Sequence, residues 1–214
     1  MQPASVSSSS KKMYIAITAL IAWVGLALQF YFILQSTIGY SKIKLATNFF
    51  SYFTILTNLL IAICLSTVLI NPASRLGAYF SKVTVQSALA LYIFIVGLVY
   101  NTVLRGIVSL SGLEWLVDNI LHVAIPVLYV IYWLVFIPKG VLKYKDGVPW
   151  IIYPLVYLVY SMIRGNITHW YPYPFLNADT LGYQKVILNI VLMIVAFFVV
   201  GLGLIAVNRS MKKG

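Results

Sequence analysis

The chain has 214 residues, of which 62% are hydrophobic and 9% charged, with a mean hydropathy of +0.95. That balance leaves too little polar surface to coat a soluble domain, so the sequence reads as an all-α, polytopic integral membrane protein. A net charge of +11 would suit a nucleic-acid binder, but without a soluble domain it is better explained by membrane topology, and no nucleic-acid partner is expected. Two histidines and one cysteine, Cys64, exclude an intrachain disulfide and speak against a dedicated zinc site. No cofactor or metal is expected.

Six apolar runs approach the roughly 20 residues that a membrane helix needs. They cover residues 13–35, 47–70, 83–104, 117–137, 148–164 and 184–207. Together they predict one six-helix bundle over 13–208, with a disordered tail at 1–12 and a short tail at 209–214. The first run is longer than the apolar region of a signal peptide and ends in no A-x-A-like site, so it reads as a retained helix. Lys and Arg divide ten to five between the side that carries both termini and the opposite side. The positive-inside rule then puts the termini in the cytoplasm and the connections near 36–46, 105–116 and 165–183 outside.

In chain order, the first helix is apolar nearly all round and reads as scaffold. The second run opens with TNFFSYFTILTN, residues 47–58, which gathers polar groups at one end of an apolar span. On one continuous helix Ser51, Thr54 and Asn58 share a stripe, with Thr57 beside it, and Thr54 lies roughly 10 Å below the interface. Such a stripe either lines a cleft or hydrogen-bonds helix to helix. Asn71-Pro72 ends this helix. The third run finishes with Tyr100, Asn101 and Arg105, an arginine placed either to snorkel to headgroups or to grip a carboxylate or phosphate.

The fourth run begins VDNILHVAIP, where Asp118 and His122 at i and i+4 let the carboxylate orient the imidazole. Pro126 has no N–H to offer the His122 carbonyl, so a kink is expected there. The basic segment 138–149 reads as an anionic-leaflet contact. The fifth run carries Pro154 and many tyrosines and ends at Arg164-Gly165. THWYPYPFL, residues 168–176, then suits a stiff loop at the interface, either an aromatic belt or a lid over a cleft. Asn166-Ile167-Thr168 matches a glycosylation sequon close to the membrane. The sixth run is apolar, with Gly201 and Gly203 available for close packing.

Thr54, Asn58, Asn101, Arg105, Asp118, His122, Arg164 and the 168–176 loop all fall in the same half of the bilayer. A hydroxyl, an imidazole with a carboxylate partner, and arginines beside a lipidic cleft are the parts of a nucleophilic hydrolase. Thr54 would attack, His122 would move the proton, Asp118 would orient it, Asn58 or Asn101 would donate to the oxyanion, and Arg105 or Arg164 would bind a substrate carboxylate. A lipid-binding or transport protein without catalysis could use the same cleft. A bis-histidine haem or quinone protein is disfavoured, because His169 falls in a loop.

The order FTILTN, LHVAIP, then Arg-Gly followed by YPYPFL, across six helices, resembles the androgen-induced-gene family of membrane proteins, which includes the androgen-dependent regulator of tissue factor pathway inhibitor. The resemblance spans nearly the whole chain through short motifs. It implies a threonine hydrolase acting on fatty acid esters of hydroxy fatty acids, with a nucleophile at Thr54, or at Thr57 in the alternative register, and a base at His122. The YPFL segment places Tyr173 and Phe175 beside the substrate. Compact loops, and Thr57-Asn58 where animal members carry an aspartate, make this chain look like a bacterial branch in the inner membrane. The expected partners are the bilayer and a fatty-acyl substrate. Neither the acyl chain nor the oligomeric state can be read from the sequence.

Overall fold

The computed structural model of the protein describes residues 8–36 and 39–211. Parts of the expected tails (1–7 and 212–214) and two residues of the first connection (37–38) lie outside the described residues. The chain begins with α1 (Ser8–Gln35), α2 (Lys42–Phe49), α3 (Phe53–Ile70), α4 (Arg75–Phe80) and α5 (Val83–Val99), which winds on through a π turn (Tyr100–Leu104). Next come α6 (Gly112–Asn119), a second π turn (Ile120–Ala124) and α7 (Ile125–Phe136) as one rod. A 3₁₀ segment (Tyr144–Ile151) leads into α8 (Ile152–Thr168), and a second one (Pro174–Leu176) and α9 (Ala178–Leu181) lead into α10 (Tyr183–Ser210).

Among the described residues six helices are long and apolar enough to cross a membrane: Ser8–Gln35, Phe53–Ile70, Val83–Leu104, Gly112–Phe136, Tyr144–Thr168 and Tyr183–Ser210. The fold is an all-α polytopic bundle. Helix is the form such runs must take, because inside lipid each backbone N–H and C=O has to find its partner within the segment. α3 and α5 form the centre, with Ile61, Ala62, Leu65, Ala90 and Ile93 sealed from outside. α1 packs on α3, α7 on α5, and α10 on α5. The outer faces keep large apolar side chains such as Leu20, Val156, Ile163 and Leu192 exposed, as suits helices bathed in acyl chains.

Several boundaries differ from the sequence reading: the fourth span begins at Gly112 rather than at 117, and the fifth covers Tyr144–Thr168 rather than 148–164. α1 starts at Ser8, inside the expected 1–12 tail. More consequentially, the run expected to be one helix from residue 47 is broken. The end of α2 tightens, with Ser51 N–H on the Asn48 carbonyl at 3.0 Å and Tyr52 N–H on the Phe49 carbonyl at 3.3 Å. Tyr52 is then extended (φ −86°, ψ 130°) and α3 restarts at Phe53. Ser51 is therefore not on the helix that carries Thr54 and Asn58, and Thr54 is the second residue of α3 rather than the seventh or eighth of a longer rod. The depth of 10 Å estimated for it does not hold.

At the opposite end of the bundle, fully buried Asn208 clamps the loop after α7 to the end of α10. Its Oδ1 accepts from Val141 N–H at 3.2 Å and Leu142 N–H at 3.1 Å, while its Nδ2 donates to the Pro138 carbonyl at 2.9 Å. Asn208→Leu strands these groups and is expected to destabilise the protein by about 1–3 kcal/mol, read as a lowered midpoint in thermal unfolding of the detergent-solubilised protein. Nearby, burial holds the Lys139 ammonium down to about 8, from 10.5. The unfolded chain binds the extra proton between those values, so stability should rise with pH across that window. Lys139→Met should flatten the rise in the same measurement.

Candidate functional site

The break before α3 and the two π turns meet at one end of the bundle. Ile125 N–H reaches back five residues to the Ile120 carbonyl, and Pro126 has no N–H, so the carbonyls of Leu121 and His122 receive no helical donor from either residue. Asparagines on the neighbouring helices supply one each. Asn58 Nδ2 donates to the Leu121 carbonyl at 3.2 Å, and also to the Thr54 carbonyl at 2.9 Å. Asn101 Nδ2 donates to the His122 carbonyl at 3.4 Å and to the Gly97 carbonyl at 2.7 Å. The kink expected at Pro126 thus takes the form of a π turn. Both asparagines already engage their amide hydrogens, and neither has one left for an oxyanion.

The π turn that ends α5, Tyr100–Leu104, begins with a tyrosine set against His122. Their rings stack with centroids 4.0 Å apart and planes 17° apart. His122 Nδ1 lies 3.0 Å from Asp118 Oδ1 and 2.9 Å from the Asp118 carbonyl, while the Tyr100 hydroxyl donates to Asp118 Oδ2. One carboxylate therefore fixes two rings. With the Nδ1 hydrogen directed to Asp118, Nε2 is the nitrogen left with a lone pair. The far face of Tyr100 is covered by Arg105, whose guanidinium carbon lies 5.1 Å from the ring centroid. Arg105 Nε donates to Asn101 Oδ1 at 2.9 Å and its Nη2 to Asn119 Oδ1 at 3.1 Å.

Thr54 belongs to a second cluster. Its Oγ1 is 3.3 Å from the Tyr173 hydroxyl, which also accepts the Thr54 N–H at 3.2 Å. These bonds, with the Tyr173 ring 5.7 Å from that of Tyr52, lay the 168–176 loop over the start of α3, and Tyr173 also stacks on Phe175 at 5.2 Å with planes 4° apart. Burial pushes the Tyr173 phenol up from its ordinary value, keeping it a hydroxyl donor. Both clusters face a cavity of about 100 Å³ between α5, α8, α10 and this loop, whose wall includes Thr54, Tyr100, Tyr173 and Phe175. Thr54 is the only aliphatic hydroxyl among its lining residues.

The remaining candidates lie elsewhere. Thr57 is fully buried and its hydroxyl is 3.3 Å from that of Tyr153, outside the cavity wall. His122 is not in the wall either, although Tyr100, on which it stacks, is. No hydrogen bond joins Thr54 to His122 among the described residues; the threonine is paired with Tyr173 and the imidazole with Asp118. Arg164 donates through Nη2 to Asn48 Oδ1 at 2.6 Å and lies 4.3 Å over the Trp170 ring, with Nη1 buried and unpaired. Neither arginine lines the cavity, so the expected carboxylate anchor is not part of its wall. His169 ends α8 in the left-handed region (φ 52°) and pairs with Asp179 Oδ2 at 3.0 Å.

Sequence reading missed the tyrosine row of α8. The Tyr153 hydroxyl meets Thr57, the Tyr157 hydroxyl donates to the Ser51 carbonyl at 2.9 Å, and the Tyr160 hydroxyl lies 2.7 Å from Ser51 Oγ. Spacing of four and three residues puts them on one face, a signal available in the sequence. It also missed Tyr100 as the cavity residue on which His122 stacks.

Comparison with protein-family models, with curated proteins and with solved structures gives no match. The site therefore has to be judged on its own geometry. Tyr100→Leu removes both the stacked ring and the donor to Asp118. It is expected to free the His122 ring, observable as loss of its ordered chemical shift in NMR of the histidine-labelled protein, while Tyr100→Phe keeps the ring in place.

Proposed function

We propose that the protein hydrolyses a lipid ester whose acyl chain enters the apolar cavity. The observation that carries this reading is the placement of Thr54, a lone aliphatic hydroxyl on an otherwise apolar wall, at the same end of the bundle as a carboxylate-held histidine. Thr54 Oγ1 attacks the ester carbonyl carbon, and its proton passes to His122 Nε2. Asp118 stabilises the imidazolium that results. Collapse of the tetrahedral intermediate breaks the bond to the alcohol oxygen, which takes the proton from His122, and water then hydrolyses the acyl-threonine by the same steps. For the transfer, Nε2 has to come within hydrogen-bond reach of Oγ1, directly or through one water, and apo sites are commonly looser than that.

Charge on the oxyanion would be met by the Tyr173 hydroxyl and by the positive end of the α3 dipole. This replaces Asn58 and Asn101 in that role. The resemblance to the androgen-induced-gene family supports the same pair, Thr54 and His122, and the same substrate class. The Lys/Arg count supports cytoplasmic termini and the site on the outer side, while a bacterial inner membrane is supported by the compact loops and Thr57-Asn58 set against the animal members of that family.

A second reading, lipid binding or transport without chemistry, is favoured by one observation: the Thr54 hydroxyl is bonded to Tyr173 and not to His122. A lipid-like fluorophosphonate separates the two. Adduct formation at Thr54, abolished by Thr54→Ala and strongly slowed by His122→Ala, is expected for the hydrolase. On a long-chain ester, the two substitutions should each remove most of kcat without adding in the double variant. Thr57→Ala should retain much of the activity. Full activity in folded His122→Ala would leave the binding reading ahead.

A further inference from the structure

Below the first cavity lies a second one, of about 80 Å³, lined by Leu91, Tyr144, Gly147, Trp150, Gly201 and Ile205 among others. Ile151 and Phe197 belong to both walls. The Phe197 ring is fixed edge-on to Phe53 at 6.0 Å (87°) and 6.5 Å from Tyr92. Beneath it the volume is kept by missing side chains. A Cβ on Gly147 would come to 3.0 Å of Ile205 Cδ1, and one on Gly201 to 3.5 Å of Leu91 Cδ2.

No charged side chain lines either space. The hydroxyl-bearing residues of the first are Thr54, Tyr100, Tyr157 and Tyr173, the tyrosine hydroxyls being bonded to Asp118, the Ser51 carbonyl and Thr54 respectively, and the lining residues of α10 from Ile190 to Phe197 are all apolar. That is the polarity of a single alkyl chain ending in a carbonyl. The helix spacing sets the lengths. Ile190 to Phe197 spans roughly 10 Å, and Ile190 to Ile205, through the second space, roughly 22 Å at 1.5 Å per residue.

We infer that Phe197, with Ile151 beside it, is the floor that limits the length of the acyl chain bound at Thr54, and that the space beneath it, partly open at exposed Val148 and Phe198, is a continuation of the same trench. This rests on the acyl-chain reading above. The wild type accepts a chain that stops at Phe197. Cutting that side chain back joins the two spaces, and filling the lower one cancels the effect without touching the upper.

The test compares octanoyl, dodecanoyl and hexadecanoyl esters of a chromogenic alcohol. Wild type is expected to favour the shorter chains. Phe197→Ala should raise the hexadecanoyl-to-octanoyl ratio of kcat/KM by roughly tenfold or more, the discrimination an apolar pocket gives per misfitting methylene. Phe197→Trp should lower it, and Gly201→Phe in the Phe197→Ala background should restore the wild-type ratio. Val199→Ala, on the exposed face of α10, should leave it unchanged. If Phe197→Ala does not fold, Phe197→Leu and Phe197→Trp still move the ratio in opposite directions. The same chain lengths are also measured as free fatty acids displacing a fluorescent fatty acid from the Thr54→Ala protein, where no chemistry can occur. Loss of all hydrolysis with the length shift kept in binding would sink the hydrolase reading and leave the floor standing. An unchanged length preference across the Phe197 variants in both measurements, or no length preference in wild type, would overturn the floor.

Discussion

Inside a bilayer a backbone carbonyl or amide without a partner has no water to turn to, and this one constraint organises the end of the bundle where the candidate site lies. The chain departs from regular helix at the break before α3 and at the two π turns, and side chains meet the groups set free. The Tyr157 hydroxyl covers the Ser51 carbonyl, that of Tyr173 accepts the Thr54 amide, Asn58 covers Leu121, and Asn101 covers His122. Each repair crosses from one helix, or from the loop after α8, to another. The polar groups that make this end look like a site are thus also the groups that allow the helices to be irregular there.

That double duty explains which readings survive the structure. Six spans were legible because hydropathy and length decide them. The Asp118–His122 pair was legible because helical spacing alone brings i and i+4 together, and the π turn changes that geometry little. The break at Phe50–Tyr52 was not, since FFSYF contains no glycine or proline, its one capping-type residue, Ser51, turns its hydroxyl back to the Thr47 carbonyl, and the N-cap position falls to Tyr52, which makes no side-chain cap. The oxyanion role considered for Asn58 and Asn101 rested on their amides being free, and only tertiary structure reveals that two carbonyls have claimed them. The arginines failed as cavity residues for a similar reason, since their partners, Asn48 and Asn119, are distant in sequence or round the turn of another element.

The two aromatic clusters divide the work of holding the site. Asp118 binds the Tyr100 and His122 rings as a rigid stack, while Tyr173 ties the loop after α8 to the first turn of α3. Between them α5, α8 and α10 enclose an apolar space. α8 stands against the break in large part through its tyrosine hydroxyls, so the width of that space is set by the reach of tyrosine side chains.

Gly97, Asn101 and Pro126 form a single unit spread over two helices. A Cβ at Gly97 would come within 3.1 Å of Pro126 Cβ and 3.4 Å of the His122 carbonyl, so the glycine admits the proline. The proline deprives that carbonyl of its donor, and the asparagine, one turn after the glycine, replaces it. None of the three can be exchanged to advantage by itself. An alanine in place of Pro126 would make Asn101 superfluous, and a larger residue in place of Gly97 would press on the proline that makes the asparagine necessary. Among descendants of this sequence the three positions should therefore drift together or not at all, a covarying triplet whose signature in an alignment would trace the path of one displaced carbonyl.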